Sequence, residues 1–233
     1  MGSWNYWIYA SPSMSSISRS PSPGMCTCTF TTLFNHAFYP LFVSRIPELV
    51  TDLTPQRLRF DAFTHKSTAQ YSLAFEKASI IFNISAVLSC HAAFQTRSED
   101  SGLKTAYHSF QASAGMFTYI NENFLHAPSS DLSRDTVKTL IQIMLAQAQE
   151  VFLEKQVADQ KKVGLLAKLS SQAAYLYQQA VEGTQENVNK AIFEKVWLLF
   201  VQVCVSAARL RIGFFRQAFS VHFPCTRSSS AIK

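Results

Sequence analysis

Proline is almost absent from the middle of this 233-residue sequence. Seven of the eight prolines lie outside residues 56–203, and Pro128 is the exception within them. Proline costs about 3 kcal/mol in a helix interior. A stretch of this length that is poor in proline and rich in Ala, Gln, Leu, Lys and Glu therefore predicts an all-α fold.

The two ends of the chain differ from this helical body. Residues 11–24 are low-complexity Ser/Pro sequence, which we expect to be disordered, and the aromatic run over 30–43 has neither a helical nor a strand period. We therefore divide the chain into an irregular segment (1–55), a helical domain (56–203) and a basic tail (204–233).

The net charge of +6 comes largely from the tail. Residues 204–233 contain five Lys or Arg and no acid, whereas the body contains 14 basic and 13 acidic residues. Because binding to phosphate backbones needs clustered basic residues, we expect no nucleic-acid partner. The apolar stretch 196–208 is shorter than the roughly 20 residues of a spanning helix. With no targeting signal evident at the N-terminus, we expect a cytoplasmic protein.

Turn and cap residues divide the body into helices. The SEDSG turn (98–102) ends a first helix that begins near Thr68, and the second helix runs to about His126. Ser133 is a suitable N-cap for a third helix. Apolar residues of the third helix recur at helical spacing on one stripe: Val137, Leu140, Ile141, Met144, Leu145, Ala148, Val151 and Phe152.

The remaining boundaries predict stacked helical hairpins. An unbroken helix from Ser133 to Glu182 would be several times the usual length, so we predict a turn within 157–162. Gly183 is a natural C-cap, and a last helix should begin near Thr184. Helices that start about 25 to 32 residues apart, four or five in all, indicate a tetratricopeptide-like stack without that repeat's consensus.

The body contains no motif typical of catalysis. Its four glycines form no phosphate-binding loop, and its histidines lack the spacing of a metal site. Cys26 and Cys28 have no second pair at zinc-ligand spacing. Cys90 and His91 are adjacent, but neighbours on a helix point about 100° apart, so Cys90 is predicted to be a small buried residue. We expect no enzymatic activity, no cofactor and no metal.

Several segments resemble the Bro domain of ALIX-like, ESCRT-associated proteins, in particular the fungal vacuolar protein-sorting Bro proteins. They are FEKASIIFNISAVLS (75–89), KTAYHSFQASAGMFTYI (104–120), HAPSSDLSRDTVKTL (126–140), MLAQAQEVFLEKQ (144–156) and LLAKLSSQAAYLY (165–177). The resemblance covers about residues 60–203, which is less than half of a complete Bro domain. It implies an incomplete, elongated and curved helical domain with irregular ends.

The resemblance also implies a non-enzymatic scaffold function. In this family an apolar patch on the concave face binds the amphipathic C-terminal helix of the filament-forming ESCRT-III subunit, in multivesicular-body sorting at endosomes. The matching positions are Phe152, Leu165 and Leu169, with Lys155 and Lys168 beside them. A cytoplasmic protein of this kind reaches the endosomal membrane peripherally, through its partners.

The spacing of the three apolar residues supports this assignment. Phe152 and Leu165 are equidistant from a turn centred near residues 158–159, so they should lie side by side across the hairpin. Leu169 follows one turn beyond Leu165 on the same face.

Three alternatives remain open. A Bro-type scaffold of ambient-pH signalling would use a similar domain, although the FEKAS and HAPSSDLSRDTVK segments disfavour it. A small membrane-associated protein would use residues 196–208 and the basic tail. A non-functional fragment is the third alternative, because residues 1–55 carry no resemblance and the tail reads like translated non-coding sequence. For such ends we expect low order, with exposed apolar residues over 30–43 and 204–223.

Overall fold

The computed structural model describes residues 57–70, 72–124 and 126–222, which form a short β-hairpin and five α-helices. Strands β1 (Arg57–Phe60) and β2 (Ser67–Gln70) are antiparallel, with Arg57 opposite Gln70. The helices are α1 (Leu73–Ala93), α2 (Asp100–Asn123), α3 (Arg134–Ala158), α4 (Val163–Asn189) and α5 (Lys195–His222), and a 3-10 turn (Ser130–Leu132) precedes α3. The predicted helical class is confirmed, with the hairpin as an addition.

Each helix packs mainly on its neighbours along the chain. The interfaces form one continuous apolar core, whose fully buried large side chains include Phe82, Phe110, Phe117, Ile120, Leu140, Ile143 and Tyr177. Neighbour-to-neighbour packing of this kind is the stacked-hairpin arrangement that the sequence predicts.

Two predicted helix boundaries are confirmed by their local geometry. Ser133 has extended backbone angles, and its side chain accepts a hydrogen bond from the Thr136 amide at the start of α3. The turn predicted within 157–162 separates α3 from α4, and Gln160 there has a positive φ of 52°. The long helical segment is therefore an antiparallel hairpin of two helices.

Two other predicted boundaries are wrong. Thr68 does not begin the first helix, because it pairs with Arg59 in the sheet, and α1 starts at Leu73 after the N-cap Ser72. Gly183 does not end α4, and no helix starts at Thr184. A Cβ at Gly183 would lie 2.5 Å from the Thr139 hydroxyl, so this glycine permits close packing of α4 on α3.

Two buried aspartates join the β-hairpin to the loop before α3. Asp131 accepts hydrogen bonds from the Ala62 amide at 2.9 Å and the Arg59 guanidinium at 2.8 Å. In return, the carboxylate of Asp61 accepts one from the Asp131 amide at 2.9 Å. The loop that the sequence predicts over 127–132 therefore contains a structural anchor.

Helix α5 crosses the predicted boundary at Val203 without a break, so the low order expected over 204–223 is wrong for residues 204–222. Beyond it, Cys204, Val205 and Ala208 are buried, whereas Leu210 and Phe214 are 76% and 55% exposed. The predictions for residues 11–24 and 30–43 lie outside the described residues, as do those for the chain after 222. The reading of the tail as translated non-coding sequence stays a prediction.

In the part of the chain that the structure describes, two helices are long and apolar enough to cross a membrane, over Leu73–Ala93 and Lys195–Ala218. The second contains the apolar stretch 196–208, which belongs to a longer helix than the sequence suggested. Core helices of soluble proteins meet the same criterion, and both helices contribute buried residues to the apolar core.

Candidate functional site

Polar contacts between α3 and α4 set the register of this hairpin. Far from the turn, the Thr136 hydroxyl donates to the Asn187 side-chain oxygen at 2.8 Å. Nearer to the turn, the Gln149 side-chain amide donates to the Leu169 carbonyl at 3.4 Å. Because α3 ends at Ala158 and α4 begins at Val163, Phe152 and Leu169 are each six residues from the turn. The side-by-side position expected for Phe152 and Leu165 stays a prediction.

Phe152, Leu165 and Leu169, which we call the hairpin patch, remain partly accessible. Leu165 is 42% exposed, and Phe152 and Leu169 are half-buried. Apolar side chains in a stacked-helix domain are usually covered by neighbouring helices. Accessible apolar residues on two adjacent helices therefore provide a surface that an apolar partner can contact.

Phe152 also borders a shallow cavity between α2 and α3. Its ring packs against that of Tyr107, with ring centroids 5.5 Å apart. The cavity has a volume of about 170 Å³ and is lined by Leu103, Lys104, Tyr107, His108, Val151, Phe152 and Lys155. A space of this size, mostly apolar at its base, can accept a single apolar side chain from another molecule.

Leu145 was predicted to lie in the core stripe of α3, and this prediction is wrong. Its side chain is 39% exposed. It precedes Phe152 by seven residues, or about two helical turns, which places both on the same side of α3. The family resemblance assigns Phe152 to an accessible patch. The seven-residue interval from Leu145 to Phe152 is therefore the sequence signal that could have assigned Leu145 to the same surface.

Charged residues surround the patch unequally. The Lys155 ammonium lies 2.6 Å from Asp100 and 3.2 Å from Asp159, and hydrogen bonds to these carboxylates raise the pKa of Lys155. Lys155 is therefore already paired within the chain. Lys168 is exposed on α4, one residue before Leu169, and is the better placed of the two predicted lysines for an acidic group on a partner.

Burial makes the Cys90 thiol a poor nucleophile. Cys90 is buried, and burial raises the pKa of its thiol to about 11. The neighbouring His91 is exposed, and its Nδ1 lies 3.0 Å from the Ser109 hydroxyl. Among the described residues, no three His, Cys, Asp or Glu side chains are grouped so that they could hold a metal ion.

Comparison with curated proteins gives relatives from fungi and from animals. The chain is 88% identical over 144 residues to the vacuolar protein-sorting protein bro-1 of Neurospora crassa, which covers 62% of this chain and 14% of that protein. The chain is 85% identical to the vacuolar protein-sorting protein BRO1 of Gibberella zeae over 144 residues, which are 62% of this chain and 14% of that protein. The tyrosine-protein phosphatase non-receptor type 23 of Homo sapiens is 32% identical over 160 residues, 66% of this chain and 10% of that one. The chain thus spans about one seventh of the length of its fungal relatives.

Solved structures and a family model that match this chain also contain Bro1-type domains. A structure described as an ALIX BRO1 CHMP4C complex superposes with a TM-score of 0.68 at 27% identity, over 88% of this chain and 60% of that one. A Bro1 domain structure described as the basis for endosomal targeting shares the fold, with a TM-score of 0.60 at 21% identity over 88% of this chain and 57% of that one. The model of the BRO1-like domain matches residues 58–210, from the β-hairpin into α5. The chain therefore belongs to the BRO1-like domain family.

Proposed function

We propose that the chain is an ESCRT-associated scaffold in endosomal multivesicular-body sorting. Its hairpin patch docks the C-terminal amphipathic helix of the filament-forming ESCRT-III subunit, and the protein is recruited from the cytoplasm to endosomes. The observation that carries this proposal is the partial exposure of Phe152, Leu165 and Leu169 on the adjacent helices α3 and α4.

The dimensions of the surface suit a helix as the ligand. An amphipathic helix presents apolar anchors at positions i, i+3, i+4 and i+7. On α3, Leu145 and Phe152 are themselves seven residues apart, or about 10 Å along the axis. A partner helix lying along α3 therefore meets an accessible apolar contact at every second turn, and the cavity beside Phe152 can receive one anchor.

The relatives support this proposal through what their descriptions say. The fungal proteins are named for vacuolar protein sorting, and the superposed ALIX structure contains a BRO1 domain in complex with CHMP4C. The family match over 58–210 includes the whole α3–α4 hairpin. Docking of a helix is non-covalent, so the proposed role needs no catalytic group, cofactor or metal.

Charged residues would affect the orientation of the bound helix more than its affinity. An exposed ion pair is worth about 1 kcal/mol or less, whereas buried apolar anchors supply most of the energy of a helix in a groove. Lys168, exposed beside Leu169, would favour one orientation of a helix that has an acid near its apolar face.

A titration with a fluorescent ESCRT-III C-terminal peptide tests the proposal. We expect saturable binding to the full chain, and Leu165→Ala should weaken it by about thirtyfold, or about 2 kcal/mol, because a central apolar anchor is removed. Leu73→Ala is the matched control, since Leu73 is 82% exposed on α1. No binding by the wild type, or equal binding by the two variants, would argue against the proposal.

A further inference from the structure

The outward face of α5 carries a second apolar surface, distinct from the hairpin patch. Its members are highly exposed, from 43% for Val203 to 76% for Leu210: Val196, Leu199, Val203, Leu210 and Phe214. At 100° per residue these five positions fall within an arc of about 60° on the helix. They lie along one side of the helix over about 27 Å of its axis, and we call them the α5 stripe.

A polar row with basic residues runs beside the α5 stripe. Lys195, Gln202, Arg209 and Arg216 recur every seven residues and are all exposed. Arg209 also donates a hydrogen bond to Gln178 on α4 at 3.0 Å, which holds its guanidinium at the surface. No acidic residue follows Glu194 in the sequence, whereas Arg227 and Lys233 add further positive charge.

We propose that the α5 stripe binds directly to anionic lipid bilayers. An amphipathic helix with a basic polar side lies in the membrane interface, with its apolar side among the acyl chains and its cations near anionic headgroups. The buried side of α5, which includes Trp197, Val201 and Cys204, stays packed in the helical stack. The stripe and the basic row are thereby available to the membrane at the same time.

Charge distinguishes a membrane from a second copy of this chain as the occupant. Pairing two α5 stripes would bring their basic rows together, and α5 contains no acid to balance them. Like charges facing each other at an interface oppose association. A bilayer that contains phosphatidylserine offers the complementary charge and an apolar interior for the stripe.

Vesicle sedimentation with the full 233-residue chain tests this proposal. We expect it to pellet with vesicles of equal parts phosphatidylserine and phosphatidylcholine and to stay in solution with phosphatidylcholine alone. Replacing Leu210 and Phe214 together by Gln should lower the partition coefficient at least about tenfold. Replacing Lys195 and Arg209 together by Gln should lower it about 25-fold, because each basic residue contributes about fivefold.

The control is the double replacement of Leu73 and Ile80 by Gln, which removes two apolar side chains of comparable exposure from α1. It should leave vesicle binding unchanged. Binding that does not need phosphatidylserine would overturn the proposal, as would equal losses in the control and in the Leu210 and Phe214 variant. The same holds if that variant instead converts a dimer to a monomer in light scattering without changing vesicle binding, which would identify a second copy as the occupant.

Discussion

The guanidinium of Arg211 on α5 lies 3.0 Å from one carboxylate oxygen of Glu150 on α3. The other oxygen accepts a hydrogen bond from the Tyr177 hydroxyl of α4 at 2.5 Å. Burial and the neighbouring Glu150 charge raise the pKa of Tyr177 well above its ordinary value, so the hydroxyl keeps its proton and remains a donor. This cluster joins three helices two residues before Phe152, and therefore supports the helix that carries the hairpin patch.

Removing Arg211 should destabilise the domain. Glu150 and Arg211 are both largely buried, with 6% and 13% of their side chains exposed, so Arg211→Met leaves the Glu150 carboxylate without the guanidinium that it pairs with. We expect the free energy of unfolding to fall by about 3 kcal/mol in urea denaturation. Arg209→Met, at an exposed position two residues earlier, should change it by less than about 1 kcal/mol. Equal stability of the two variants would show that the Arg211 ion pair contributes little to the fold.

Two glycines in helix interiors should respond in opposite directions to alanine. At Gly183 a Cβ would lie 2.5 Å from the Thr139 hydroxyl and 3.3 Å from the Gln142 side-chain oxygen, so Gly183→Ala should destabilise by about 1 to 3 kcal/mol. At Gly115 a Cβ would meet nothing within 4 Å, so Gly115→Ala should stabilise by about 0.5 to 1 kcal/mol. Thermal melting of both variants measures the difference, and a stabilised Gly183→Ala would contradict the close packing of α4 on α3.

The stability of the β-hairpin anchor should depend on pH through Asp61. Burial alone raises the pKa of Asp61, but hydrogen bonds from the amides of Thr64, Phe63 and Asp131 outweigh it and hold the pKa below its ordinary value of 3.8. The ionised carboxylate therefore stabilises the fold above about pH 4, and this contribution disappears as the pH falls through the lowered pKa.

The corresponding measurement compares wild type with Asp61→Asn across the acid range. The variant should be less stable at neutral pH, because its neutral amide is a weaker acceptor for three backbone donors. The difference in unfolding free energy should shrink as the pH falls below about 4. A difference that stays constant down to about pH 3 would rule out ionised Asp61 as its source.

Helix boundaries marked by local chemistry were predictable from the sequence, and those decided by contacts were not. The side chain of Ser133 caps α3 by accepting a hydrogen bond from the amide of Thr136, three residues away. A contact this close along the chain can be predicted from the local sequence. Gly183 has the residue type of a C-cap, but its function depends on Thr139, which is distant in sequence and adjacent in space. Strand β2 was missed for a similar reason, because four residues gain regular structure only by pairing with residues 57–60.

The assignment of the candidate site to positions 152, 165 and 169 came from the family resemblance and the symmetry of the turn. Periodicity alone placed Phe152 and Leu145 in the core stripe of α3, because an apolar stripe looks the same in sequence whether it faces a neighbouring helix or solvent. Which residues of α3 remain accessible depends on which of them the side chains of α2 and α4 bury. That depends on how the three helices pack together, so the sequence of α3 alone does not reveal it.

The replacement of Leu169 by Asp tests the central claim, that the hairpin patch binds a partner helix, most directly. Because Leu169 is half-buried, docking would require the new carboxylate to lose water without a partner. Helicity and melting temperature should be measured beside binding of the ESCRT-III C-terminal peptide, with the milder Leu169→Gln as a second variant in case the charge disrupts folding. We predict that whichever variant retains the wild-type melting temperature loses at least about thirtyfold in affinity. Unchanged affinity in a folded Leu169 variant would contradict the claim.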